Sequence, residues 1–169
     1  MPAIPRVDWK RHSNWPVAVG DIVIYGFPLK EGQPGKGRPS LVLAVHPRVG
    51  RPSRLTLAYG TDVERRANRG FEVSLRREND FLRAGLRKGT RFICARRATV
   101  SADDDSFRLG PDGTPVVGRL PGELLKRLEG LLPLIDLARD QPGGASGGGR
   151  PRRRVGLRES SQAEQNAMR

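Results

Sequence analysis

The residue type and setting best suited to chemistry is Arg38, in the stretch Gly35-Lys-Gly-Arg-Pro-Ser-Leu-Val-Leu-Ala-Val45. Here a small basic loop runs directly into an apolar run. Pro39 fixes the chain direction and has no N–H to leave unsatisfied, which suits the first residue of a strand. Leu41 to Val45 is continuously apolar over the length expected of a strand buried on both faces. Arg38 therefore stands at the lip of a rigid element, where a guanidinium can be held still to grip a phosphate or to offset developing charge. An ordinary solvated arginine ahead of a strand is the other reading of the same residues. Elsewhere the reactive residue types are sparse. Cys94, the one cysteine, lies in the apolar run Phe92-Ile-Cys-Ala95 and reads as a packed core thiol rather than a nucleophile. His12 and His46 are scattered, so no Cys/His cluster has the spacing of a zinc site, and no metal is implied. Asp103-Asp-Asp105 reads as a solvated loop, because no second acidic cluster accompanies it as a hard-metal site would need.

The elements that must position Arg38 follow from composition and patterning. At 169 residues the chain has the size of one domain with a tail. Its net charge of +13, carried largely by arginine, points to a polyanionic partner, RNA or DNA before an acidic membrane surface. Membrane binding is disfavoured by the lack of a basic amphipathic helix or a long apolar run. The opening Met1-Pro-Ala-Ile-Pro-Arg-Val-Asp8 has no apolar signal core, and a lone cysteine suits a reducing compartment, so a cytoplasmic protein is expected.

Three regions are expected: a polar lead over 1–18 containing Trp9 and Trp15, a folded domain over 19–139, and a disordered Gly/Arg-rich tail over 140–169. The tail's six arginines and three acids account for only three of the thirteen net positive charges, so the basic character belongs to the domain. Val19–Phe27 reads as the first strand and Arg38–Val45 as the second, joined by a Gly/Pro-dense loop longer than a hairpin needs. A turn-rich connection over His46–Ser53 leads to a third strand, Arg54–Gly60, whose residues alternate as in a half-buried strand. Thr61-Asp62 closes it, and a loop carries Arg65, Arg66 and Arg69. Phe71–Leu75 is a short strand; a helical turn follows within Arg76–Arg83, with Asn79-Asp80 as its expected cap. Gly85 and Gly89 bracket a turn, and Thr90–Ala95 is a strand that bends before continuing extended to Ser101. Pro115–Arg119 is a last strand, and Pro121 opens a helix. In it Leu124, Leu125, Leu128, Leu131, Leu132 and Ile135 form an apolar stripe, and Pro133 should kink or weaken the end. Short strands separated by frequent turns, with one terminal helix, describe a mainly β fold built as a small curled antiparallel barrel.

The order of these motifs is distinctive. Gly20-Asp-Ile-Val23 opens the first strand, Gly37-Arg-Pro-Ser-Leu-Val-Leu43 the second, and Ala58-Tyr-Gly-Thr61 ends the third. Phe71–Leu75, Thr90–Val100 and a leucine-rich helix follow. Over roughly residues 19 to 135 the chain resembles the PemK/MazF family of toxin-antitoxin endoribonucleases. The resemblance implies an SH3-like antiparallel barrel with a C-terminal helix, a homodimer whose groove receives single-stranded RNA, and a cognate antitoxin protein as partner. It implies RNA cleavage without a metal or other cofactor, by attack of the 2′-hydroxyl to leave a cyclic or 3′-phosphate and a 5′-hydroxyl. Arg38 matches the family arginine and Thr61 the threonine ending the third strand, where the family commonly reads Thr-Ser and this chain reads Thr61-Asp62. Chemically, a fixed guanidinium can stabilise the charge gathered on a phosphate's non-bridging oxygens, and a threonine hydroxyl can donate a further hydrogen bond. Lys36, Arg65, Arg66, Arg69, Arg96 and Arg97 are the candidate RNA-binding residues, from charge and loop position.

The chain also departs from the family. The Arg-x-Asp pair that serves some members as acid and base falls on Ile93 and Ala95, neither of which can move a proton. The family's loop glutamate falls on Gln33, with Glu31 two positions away. Asp62 is then the candidate replacement carboxylate. Two functions are expected in order: an endoribonuclease acting through Arg38, Thr61 and Asp62, or a catalytically impaired basic barrel that binds nucleic acid or a partner protein.

Overall fold

The structure, a computed structural model, describes residues 15–27, 35–63 and 71–140. Trp9, Glu31, Gln33, Arg65, Arg66, Arg69 and the tail beyond Asp140 lie outside the described residues. Eight elements succeed one another: β1 (Asp21–Tyr25), β2 (Arg38–Arg48), β3 (Arg51–Asp62), β4 (Glu72–Leu75), α1 (Glu78–Arg83), β5 (Thr90–Ser101), β6 (Val116–Arg119) and α2 (Gly122–Asp140). The strands form one antiparallel sheet in the order β4-β5-β3-β2-β1-β6. The fold is therefore mainly antiparallel β with a C-terminal helix, as expected.

The barrel does not close by hydrogen bonding, since β4 and β6 are separate edges of the sheet. The turn after α1 bridges them instead. Ala84 and Gly85 press against Val117 and Gly118 of β6 so closely that a Cβ on either glycine would collide with the opposing carbonyl oxygen. Backbone packed on backbone does the work that a ladder would do in a closed barrel.

Both faces of the sheet are buried, which explains the continuous apolar run of β2. Leu41 and Leu43 join Ile22, Ala58, Val73, Leu75, Phe92 and Cys94 beneath α2, while Val42 joins Val23, Tyr25, Leu55, Leu57 and Phe107 on the opposite side. The expected helical stripe does its part: Leu128 and Ile135 are buried in the first cluster, and Leu124, Leu125, Leu131 and Leu132 pack against it. Gly20, at φ +91°, lets β1 pass directly beneath Leu125, where any Cβ would strike that side chain. Asp21 accepts hydrogen bonds from the Ala18 N–H at 2.8 Å and from Arg119 at 2.7 Å. The Gly20-Asp21 pair is thus an architectural joint between β1, β6 and α2. Trp15 packs edge-on against Phe107, ring centroids 5.6 Å apart.

Several local expectations are corrected. The connection over His46–Ser53 is a tight hairpin in which β2 and β3 continue to a turn at Val49-Gly50, Gly50 supplying a φ of +64°. Helix α1 begins after Arg77 without a side-chain cap, rather than at Asn79-Asp80. Helix α2 continues through Pro133 to Asp140. Asp104 is a structural acceptor rather than a solvated charge, taking hydrogen bonds from the Tyr25 hydroxyl at 3.2 Å and the Ser106 N–H at 2.8 Å.

Candidate nucleic-acid cleft

The sheet register determines which side chains can meet. Tyr25 stands opposite Arg38, Ser40 opposite Tyr59, and Thr61 opposite Arg91. Side chains alternate along a strand, so Arg38 and Ser40 share a face with Tyr59 and Thr61. Extending the β2–β3 register by two residues sets Arg38 opposite Thr61. Between them the strands approach unusually closely: a Cβ on Gly60 would collide with the Pro39 carbonyl oxygen. Glycine at this position is what allows the two strand ends to converge.

They converge on a cleft of about 610 Å³, lined among others by Lys36, Arg38, Thr61, Asp62, Arg87 and Lys88. Four of these six are cations and one is a carboxylate, so the cleft favours an anion. The Thr61 hydroxyl makes no hydrogen bond to the described residues and is open to donate one. Asp62 lies 2.6 Å from the Lys88 ammonium, both side chains being substantially exposed. An exposed pair of this kind contributes about 0–1 kcal/mol to stability, so its interest lies in fixing where the carboxylate points.

No family model and no curated protein sequence matches the chain. Among solved structures it is similar to the Mycobacterium tuberculosis toxin MazF-mt6. The TM-score is 0.46 at 18% identity, covering 69% of this chain and 95% of that one.

The other expected site residues are dispersed. Arg96 sits outside the cleft lining, its Cζ 5.7 Å from the Tyr59 ring centroid, the same distance as the Arg38 Cζ. Arg97 is engaged elsewhere, donating to Asp136 of α2 at 3.0 Å. Ile93 is buried, and Ala95 is exposed in a wide bulge of β5. Cys94 is fully buried, and its thiol is pushed up from 9.0 to about 11, chiefly by burial and then by the Glu72 carboxylate. A thiol so raised is protonated at neutral pH and unsuited to nucleophilic attack.

Sequence reasoning missed three charged groups. Arg87 and Lys88 line the same cleft as Arg38, and their signal was present: adjacent cations in the turn bracketed by Gly85 and Gly89. Arg91 is only 4% exposed and is paired with Glu72, Nε to Oε2 3.6 Å. It shares the face of Ile93 by period-two alternation and stands directly across from Thr61. Inside an apolar run it gave no outward sign of being buried.

Proposed function

We propose that this protein is a cytoplasmic endoribonuclease of toxin type that cleaves single-stranded RNA by 2′-hydroxyl attack, held in check by an antitoxin protein. The observation that carries the reading is the convergence of Arg38 and Thr61 from neighbouring strand ends onto one basic cleft. The motif resemblance supports it, since those two residues match the family's arginine and threonine.

In this mechanism the scissile phosphate lies between the two strand ends. The 2′-oxygen attacks phosphorus in line with the departing 5′-oxygen. The P–O5′ bond breaks, giving a 2′,3′-cyclic phosphate and a 5′-alkoxide that takes a proton from water to leave as the 5′-hydroxyl. Arg38 offers parallel N–H donors to the non-bridging oxygens, and the Thr61 hydroxyl donates another. Asp62, steadied by Lys88, accepts the 2′-hydroxyl proton. Lys36, Arg87 and Lys88 hold the flanking backbone by charge. A homodimer would extend the cleft into a groove.

A second reading is favoured by one observation. Asp62 is engaged by Lys88, and the Ile93 and Ala95 positions offer no proton-transfer group. A cleft of this charge without an effective base would bind nucleic acid and leave it intact.

Incubating purified protein with a long RNA in EDTA, followed by end-group analysis, separates the two. Discrete fragments with 5′-hydroxyl ends, lost in Arg38→Ala, are the expected result. Intact RNA with salt-sensitive gel retardation would establish the binder instead.

A further inference from the structure

Tyr59 lies within cation–π range of two guanidiniums. The Arg38 and Arg96 Cζ atoms are each 5.7 Å from its ring centroid, so they are separated by no more than twice that distance. The ring is itself held from the side: Phe27 meets it edge-on at 5.5 Å, and Tyr25 meets Phe27 at 5.0 Å. Arg96 reaches this place because of the β5 bulge. Where β3 advances one residue, from Ala58 to Tyr59, β5 advances from Arg97 to Ile93. Residues 94–96 therefore leave the β3 ladder, with the Cys94 N–H donating to Phe71 instead. A bulge of this kind re-aims side chains at the cost of strand pairing.

What distinguishes the cluster is that two guanidiniums share one ring. Arg97, Arg119 and Lys88 each meet a carboxylate within 3.0 Å. Arg38 and Arg96 meet none among the described residues, although their like charges repel each other. The aromatic face offsets part of that repulsion, since cations are drawn to the ring.

We infer that Tyr59 is the platform of a two-phosphate cradle, in which Arg38 takes the scissile phosphate and Arg96 the next phosphate of the same RNA strand. This rests on the nuclease reading for Arg38, but the binding role of Arg96 does not require cleavage. Arg96 is then a substrate-contacting residue. Tyr59 is a positioning residue that sets the spacing between the two guanidiniums.

The probe is a short labelled single-stranded RNA with 2′-O-methyl groups throughout, which has no nucleophile and reports binding alone. Its affinity is read by fluorescence anisotropy over a salt titration, alongside kcat and KM on ordinary RNA. Arg96→Ala should weaken binding about tenfold and reduce the slope of log affinity against log salt by about 0.7, the loss of one phosphate contact. KM should rise with kcat unchanged. Tyr59→Phe should behave as wild type, because the ring and not the hydroxyl is the platform. Tyr59→Leu should weaken binding and also lower kcat, because Arg38 loses its support. Should Tyr59→Leu fail to fold, Arg96→Ala at its exposed position carries the test by itself.

Unchanged affinity and salt slope in Arg96→Ala would overturn the cradle even if cleavage depends on Arg38. Conversely, binding that depends on Arg96 in a protein that cuts no RNA would uphold the cradle and remove the nuclease reading.

Discussion

At the scale of single residues, the chemistry depends on which groups are left available and which are engaged. The Thr61 hydroxyl is open, Asp62 is steered by Lys88, and Arg97 is committed to α2. Removing one preorganised donor to a developing oxyanion costs about 10²–10³ in kcat, so Arg38→Ala should lose activity on that scale. Arg38→Lys should recover little, because an ammonium cannot reproduce the parallel fork. Asp62→Asn should cost a further 10²–10⁴, roughly, if the carboxylate takes the proton; single-turnover rates on a defined RNA measure both. Cys94 makes a prediction about pH. Its thiol is raised from 9.0 to about 11 in the folded protein, so the unfolded chain gives up this proton first. The stabilisation is whole below pH 9 and is lost as pH rises towards 11, about 3 kcal/mol in all. Tyr25, raised by burial and by Asp104, acts in the same direction. Urea midpoints should fall above pH 9, and Cys94→Ala should flatten that fall. The burial of Cys94 was legible from its apolar neighbours. That of Arg91 was not, because nothing local announces a partner on another strand.

Elements were legible where the pattern is local, and less so where long-range packing overrules it. The apolar run at Leu41–Val45 and the leucine stripe of α2 follow from periodicity, and both meet the core as expected. The reach of the β2–β3 hairpin was hidden by Pro47 and Pro52, which read as loop but sit in strands that continue to Val49-Gly50. Helix α2 survives Pro133 because residues on both sides, Leu128 and Ile135, are anchored in the core. The bulge in β5 showed only as a bend, since its depth depends on cross-strand register. Tertiary constraint is sharp at Gly20, where positive φ coincides with contact against Leu125. Gly20→Ala should destabilise the fold by about 1–3 kcal/mol, the usual cost of overpacking, read as a lower urea midpoint at unchanged slope.

For the molecule as a whole, charge and topology act together. No described helix is long and apolar enough to cross a membrane. The net charge of +13 is set against a sheet whose strand ends gather Lys36, Arg38, Arg87 and Lys88 on one cleft. RNA affinity should accordingly fall steeply with salt. Variants of Arg87 and Lys88 should weaken it evenly across RNA sequences, because phosphate contacts carry no base information. The general anion preference was readable from composition. The wall formed by Arg87 and Lys88 became visible only when the turn after α1 folded back across β6.

The central claim is that Arg38 and Thr61 act on the same phosphate, and a double-mutant cycle on single-turnover RNA cleavage tests it directly. With wild type, Arg38→Ala, Thr61→Val and the double variant, the account predicts strong non-additivity: the second substitution costs far less once the first is made. Fully additive losses, or a wild-type protein that leaves RNA uncut, would contradict it.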